Sequence, residues 1–144
     1  MMASVQADTK IELLRGVPLF GSCSSMDMDR LARVVDEVDV PDGYVIAHEG
    51  GSERQLAIIV GGAVRLERGG ETLLRIGDGE YIGEMALLDS APRTTTAVAE
   101  GPVKLLVMTN QSFSALVGEA ADVRASVFET LARRIRAREL NATD

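Results

Sequence analysis

The chain has 144 residues, 46% of them hydrophobic and 26% charged, and a net charge of −7 from 15 basic and 22 acidic side chains. That length suits one domain with a real core, and the composition excludes a disordered chain. One His (His48) and one Cys (Cys23) exclude an ordinary zinc site and a disulfide framework and leave little for general-base catalysis, while the acidic balance argues against a broad nucleic-acid face.

Asp8, Lys10 and Glu12 precede any long apolar run, so the N-terminus does not read as a signal peptide. The longest mostly apolar run, Leu56 to Val64, is far short of the roughly 20 residues of a membrane-spanning helix. With a lone thiol, the expectation is a cytoplasmic protein without membrane contact.

Residues 9–16 read as a short helix closed by Gly16, followed by the apolar connector Val17-Pro18-Leu19-Phe20. Ser24 and Asp27 have the spacing of a capping box, opening a helix whose apolar stripe is Met28, Leu31, Ala32 and Val35. From Val38 to Met108 the pattern changes to short runs rich in Val, Ile, Leu and Thr. They are Val38–Val40, Val45–His48, Leu56–Val60, Ala63–Glu67, Thr72–Ile76, Tyr81–Ile82, Thr94–Ala99 and Val103–Met108. Short strands at even spacing with turn signals between them predict an all-β sandwich or barrel, and eight of them suit a jelly roll. Gly61-Gly62 and Gly69-Gly70 both read as two-residue hairpin turns. Thr109 is placed to cap a helix holding Phe113, Leu116 and Val117 and stopped at Gly118. From Glu119 to about Leu140, Val123, Val127, Leu131 and Ile135 recur at i, i+4, with Phe128 and Ala132 widening the stripe.

The stretch with chemistry in it is Gly79 to Ala99, GEYIGEMALLDSAPRTTTAVA. Gly83 precedes Glu84-Met85-Ala86-Leu87-Leu88, which favours one or two helical turns, and Asp89-Ser90-Ala91-Pro92 ends them. A helix start after a glycine offers unpaired N–H groups to an anion. Arg93 follows, with a planar fork that matches two phosphate oxygens, and Thr94 adds a hydroxyl. A carboxylate at Glu84 repels phosphate, yet it suits a ligand that also presents a hydroxyl, as a ribose 2′-OH beside a cyclic phosphate does.

These residues, Gly83 to Leu88 with Pro92-Arg93-Thr94 after them, closely resemble the phosphate-binding cassette of cyclic nucleotide-binding domains. That family includes catabolite-activator-type regulators, regulatory subunits of cyclic-nucleotide-dependent kinases and cyclic-nucleotide-gated channels. Val17-Pro18-Leu19-Phe20, Gly43 to Ile46 with Glu49-Gly50, Ile59 to Val64, Phe113 and Leu131 to Ile135 resemble further family segments, over roughly residues 17–137. The resemblance implies a mainly β fold with flanking helices. It is a β-roll, a double-stranded β-helix of jelly-roll type, with N-terminal helices and a C-terminal amphipathic lid helix. One domain over 1–144 is expected, with the roll at about 38–108 and the closing helices at about 109–140.

The resemblance further implies a non-enzymatic sensor of cyclic AMP or cyclic GMP, with no cofactor. In it Glu84 takes the ribose 2′-OH and Arg93 the cyclic phosphate. Gly83, Met85 and Ala86 line the phosphate, and Thr94 lies beside it. The last helix closes over the base and passes the signal to an effector protein or domain, and its stripe also suits a homodimer. Ile82 stands where the family often has Phe, and Thr94-Thr95 where it has a small residue and Ala, so the base preference stays open; cyclic AMP, the commoner bacterial ligand, is the first expectation. The alternative is a structural or interaction module of the same fold with a vestigial pocket. Arg133, Arg134, Arg136 and Arg138 read as a solvated face that suits a helix C-terminus, not as a DNA-binding element.

Overall fold

The computed structural model describes residues 2–51, 55–83 and 95–143. The chain divides into a helical unit, residues 1–33 with 115–144, and a β unit, residues 34–114.

In the helical unit, α1 (Met2–Arg15) ends where the Gly16 N–H donates to the Leu13 carbonyl at 3.2 Å. Pro18–Phe20 then form a 3₁₀ turn that buries Leu19 and Phe20 completely. The helix α2 (Ser25–Val34) starts as its capping signal predicts: the Ser24 hydroxyl accepts the Asp27 N–H at 3.2 Å. Two more helices follow the β unit's last strand, α3 (Asn110–Glu119) and α4 (Ala121–Thr143). Thr109 caps α3 by accepting the Ser112 N–H at 3.1 Å. The helix ends at Glu119, one residue past the stop read at Gly118, and two carbonyls of its last turn find side-chain partners. Arg124 donates to the Val117 carbonyl at 3.1 Å and Arg30 to the Glu119 carbonyl at 3.3 Å.

Val123 and Val127 of α4 are buried as predicted, but Phe128 and Ala132 do not widen that stripe. Phe128 is 52% exposed, and the buried neighbour is Ser126. Its hydroxyl donates to the Leu19 carbonyl at 3.0 Å and accepts the Ser22 N–H at 3.3 Å. The 3₁₀ turn leaves a backbone carbonyl that needs a donor, so a serine faces it and the phenylalanine is turned out. Cys23 in the same region has its thiol pushed up to about 11, first by burial and then by the Asp27 carboxylate.

The β unit holds six described strands: β1 (Asp36–Val40), β2 (Val45–Ala47), β3 (Gln55–Arg68), β4 (Glu71–Ile76), β5 (Tyr81–Ile82) and β6 (Thr96–Thr109). All pairings are antiparallel, in the order β1-β6-β3-β4, with β2 also on β6 and β5 also on β3. Each long strand changes neighbours halfway. The first half of β3 pairs β5 and the second half pairs β4; the first half of β6 pairs β2 and the second half pairs β1. The halves form the two layers of a β-roll around one core that includes Val40, Ile59, Val64, Ile76, Ala99 and Leu105.

Two predicted strand pairs are therefore one strand each, and Gly61-Gly62 is a bend in β3, not a hairpin turn. The register with β6 shifts on either side of Gly61. Gly62 has φ +115, and a Cβ there would lie 2.7 Å from the Pro102 carbonyl oxygen. Its N–H donates to Asp78 at 3.0 Å. In β6 the bend falls at Gly101-Pro102, where the Gly101 N–H donates to Asp42 at 2.7 Å. Gly69-Gly70 is the hairpin turn it was read as, with φ +60 and +83 and open space around both residues.

Two predictions follow from the packing. Gly62→Ala combines a left-handed backbone with a backbone clash and lowers unfolding free energy by about 2 kcal/mol or more. Gly118→Ala, in a helix with nothing within 4 Å of the added methyl, raises it by about 0.5–1 kcal/mol, and urea unfolding reads both. For Cys23 the folded state holds its proton more tightly than the unfolded chain. Its stabilising contribution is full below its ordinary value of 9.0 and is lost as pH rises through about 11. Cys23→Ala therefore flattens the fall of stability over that alkaline window, measured by urea unfolding at fixed pH steps.

Candidate ligand-binding site

Strand alternation puts Val64, Leu66, Leu74 and Ile76 on one face of the β3–β4 pair, since Val64 stands opposite Ile76 and Leu66 opposite Leu74. β6 continues these rows with Ala99 and Ala97. Val64, Ile76, Ala97 and Ala99 are buried, whereas Leu74, furthest from the bend, is 54% exposed although it points to the core side.

Four alanines face inward in the roll, Ala47, Ala57, Ala97 and Ala99, and two of them, Ala47 and Ala57, leave space beside them. A pocket of about 240 Å³ is walled by Val40, Ala47, Ala57, Ile82 and Leu105, with the exposed Val38 and Tyr44 at its rim. Ile82 is the residue before Gly83, where the cassette sequence begins.

Gly83 closes β5 with φ +95, a conformation that side-chain-bearing residues rarely adopt. Glu84, Met85, Ala86, Arg93 and Thr94 lie outside the described residues, which resume at Thr95 just before β6. The cassette sequence thus runs between a strand of one layer and a strand of the other.

Opposite charges pair on the outer face. Arg65 bonds Glu67 and, at 3.3 Å, Glu100; Arg75 reaches Glu100 at 3.0 Å. Lys104 bonds Glu37 at 2.7 Å, with Asp39 at 3.8 Å. The hydrogen bond to Glu67 raises the Arg65 pKa and the one to Glu37 raises that of Lys104, so both stay charged. These cations are occupied by carboxylates and turned from the core, which leaves them poorly placed for an anion at the cavity.

Sequence reading missed the groups that tie the unit together at the end away from the bends. The Glu49 N–H donates to the Thr96 hydroxyl at 3.0 Å. That hydroxyl donates to the Glu49 carboxylate at 3.3 Å, and the same carboxylate oxygen accepts the Gly69 N–H at 3.0 Å. Only the Glu49-Gly50 pair hinted at this, as part of a family-like segment. His48 beside it is exposed. Among the described residues no group of three or more His, Cys, Asp or Glu is arranged to hold a metal, and no helix is long and apolar enough to cross a membrane.

A two-layer antiparallel roll with inward-facing alanines, carrying a Gly-Glu…Arg-Thr cassette sequence in the chain between β5 and β6, defines a class of ligand-binding β-roll. The family model for the cyclic nucleotide-binding domain matches residues 37–120, and the chain belongs to that family. It is 33% identical over 132 residues to the cyclic AMP receptor protein of Thermus thermophilus, covering 88% of this chain and 61% of that one. It is 30% identical over 115 residues to a cAMP-dependent protein kinase regulatory subunit of Blastocladiella emersonii, covering 76% of this chain and 28% of the other. The crystal structure of the Thermus thermophilus catabolite activator protein superposes with a TM-score of 0.78 at 32% identity, over 88% of this chain and 62% of that one. The chain thus spans about three fifths of the length of the receptor-type relatives it matches.

One check on the cavity is a pair of volume additions. Ala57→Val, which points into the space, costs under about 1 kcal/mol. Ala99→Val, buried away from it, costs about 1–3 kcal/mol by overpacking. Urea unfolding separates the two.

Proposed function

We propose that this chain is a non-enzymatic sensor whose β-roll binds a cyclic nucleotide, cyclic AMP in the first place. Arg93 holds the cyclic phosphate in a two-pronged hydrogen-bonded pair, and Glu84 accepts the ribose 2′-OH. Gly83 and the backbone of Met85 and Ala86 line the phosphate, with Thr94 beside it. The observation that carries this reading is the family match over the roll together with an intact cassette, Gly83-Glu84-Met85-Ala86-Leu87-Leu88 and Pro92-Arg93-Thr94. The pairing of Arg65, Arg75 and Lys104 with outer-face carboxylates supports it, since it leaves the phosphate to the cassette's own arginine. The names of the relatives favour cyclic AMP over cyclic GMP.

In this reading residues 1–144 work as one cytoplasmic regulatory domain. The ligand biases one position of α4 over another, by contact with its base. An effector protein or domain receives the signal, two copies pair through α4, and this chain makes no direct contact with DNA.

Calorimetry with both nucleotides tests the proposal. Cyclic AMP binds, and at a hundred times its Kd it stabilises the fold by about 2.7 kcal/mol. Arg93→Ala abolishes binding, and His48→Ala leaves it unchanged. Absence of binding by either nucleotide makes the domain a structural or interaction module with a vestigial pocket, and overturns the proposal.

A further inference from the structure

We propose that the Glu49 carboxylate is a positioning residue for the ligand site, holding in register the strand start that the cassette leads into. This rests on the cyclic-nucleotide reading above and assigns a role to a residue outside the cassette.

The argument starts from connectivity. Thr96 is the first residue of β6 and stands three residues after Arg93 in the chain. Three residues span at most about 10–11 Å, so whatever fixes Thr96 limits where the Arg93 backbone can lie. Thr96 is fixed twice by one partner: its hydroxyl accepts the Glu49 N–H at 3.0 Å and donates to the Glu49 carboxylate at 3.3 Å.

The carboxylate's second bond goes elsewhere. The same oxygen accepts the Gly69 N–H, in the tight turn joining β3 to β4. That hairpin carries Leu66 and Leu74, the core-facing positions furthest from the bend. One side chain therefore ties three segments of the β unit: the turn after β2, the β3–β4 turn and the start of β6.

Charge does not explain why an acid stands there. The bonds its carboxylate makes are to neutral donors, a backbone N–H and a hydroxyl. What the geometry uses is an acceptor oxygen able to take an N–H and an O–H together. A glutamine carbonyl oxygen serves equally well and carries no charge.

Asp42 offers a matched comparison. Its carboxylate also caps a backbone N–H, that of Gly101, but at the bend of β6. Its loss is a purely structural injury to the same unit.

The test measures cyclic AMP affinity by calorimetry on the full chain, well below each variant's unfolding temperature, beside thermal unfolding without ligand. Glu49→Ala weakens binding about tenfold, the scale of one hydrogen bond to a charged group. Glu49→Gln binds as tightly as the parent or tighter, and Asp42→Ala lowers the unfolding temperature without changing affinity. Thr96→Val, which lacks the hydroxyl, repeats the loss seen with Glu49→Ala. Unchanged affinity in Glu49→Ala, or an equal loss in Asp42→Ala, overturns the positioning role while the parent still binds. A parent chain that binds neither nucleotide overturns the functional reading instead.

Discussion

The roll depends on one close approach, that of Gly62 to the Pro102 carbonyl. Two long antiparallel strands cannot bend together unless their backbones meet without side chains between them, and a glycine in β3 permits that contact. Each bend is then held by a carboxylate from a neighbouring turn, Asp78 on the Gly62 N–H and Asp42 on the Gly101 N–H. Those bonds satisfy donors freed where the ladder register shifts. Because β3 and β6 fold over at the same level, each serves both layers, and the small β2 and β5 need pair with only one half of a long strand each.

The pleat then separates two tasks. Core-facing positions hold valines, isoleucines and leucines broken by alanines, so the interior is apolar, and Ala47 and Ala57 leave a pocket at one side of it. Outward positions hold Arg65, Arg75 and Glu100, which neutralise one another across three strands. Such exposed pairs add little stability singly. They keep Arg65 and Arg75 paired with a carboxylate on the surface.

The helical unit follows a different logic. Its centre is the 3₁₀ turn Pro18–Phe20, which buries two side chains and whose Leu19 carbonyl accepts the hydroxyl of a buried serine from α4. A hydroxyl-to-carbonyl bond inside an apolar contact is directional, so it sets the rotation of α4 about its own axis more tightly than valines alone. It also explains why Phe128 faces solvent despite a sequence position that extends the apolar stripe.

Local signals survived into the structure wherever a few neighbouring residues settle the outcome. The Ser24 and Thr109 caps, the Gly69-Gly70 turn and the alternation of β3 and β4 are of this kind, since each depends on backbone geometry within four or five residues. The cassette was likewise legible as a sequence, and so was the family. Tertiary structure decided the rest. Gly61-Gly62 and Gly69-Gly70 look alike along the chain, yet one is a bend and the other a turn, because only the first pair meets a distant strand. Glu49 is an unremarkable surface acid until the fold brings Thr96 and Gly69 to it from 47 and 20 residues away. Sequence determined the caps, the strand alternation and the family because those rest on short-range spacing; contacts between remote segments exist only once the chain has folded, and they decided the bends, the orientation of α4 and the tether from Glu49 to Thr96 and Gly69.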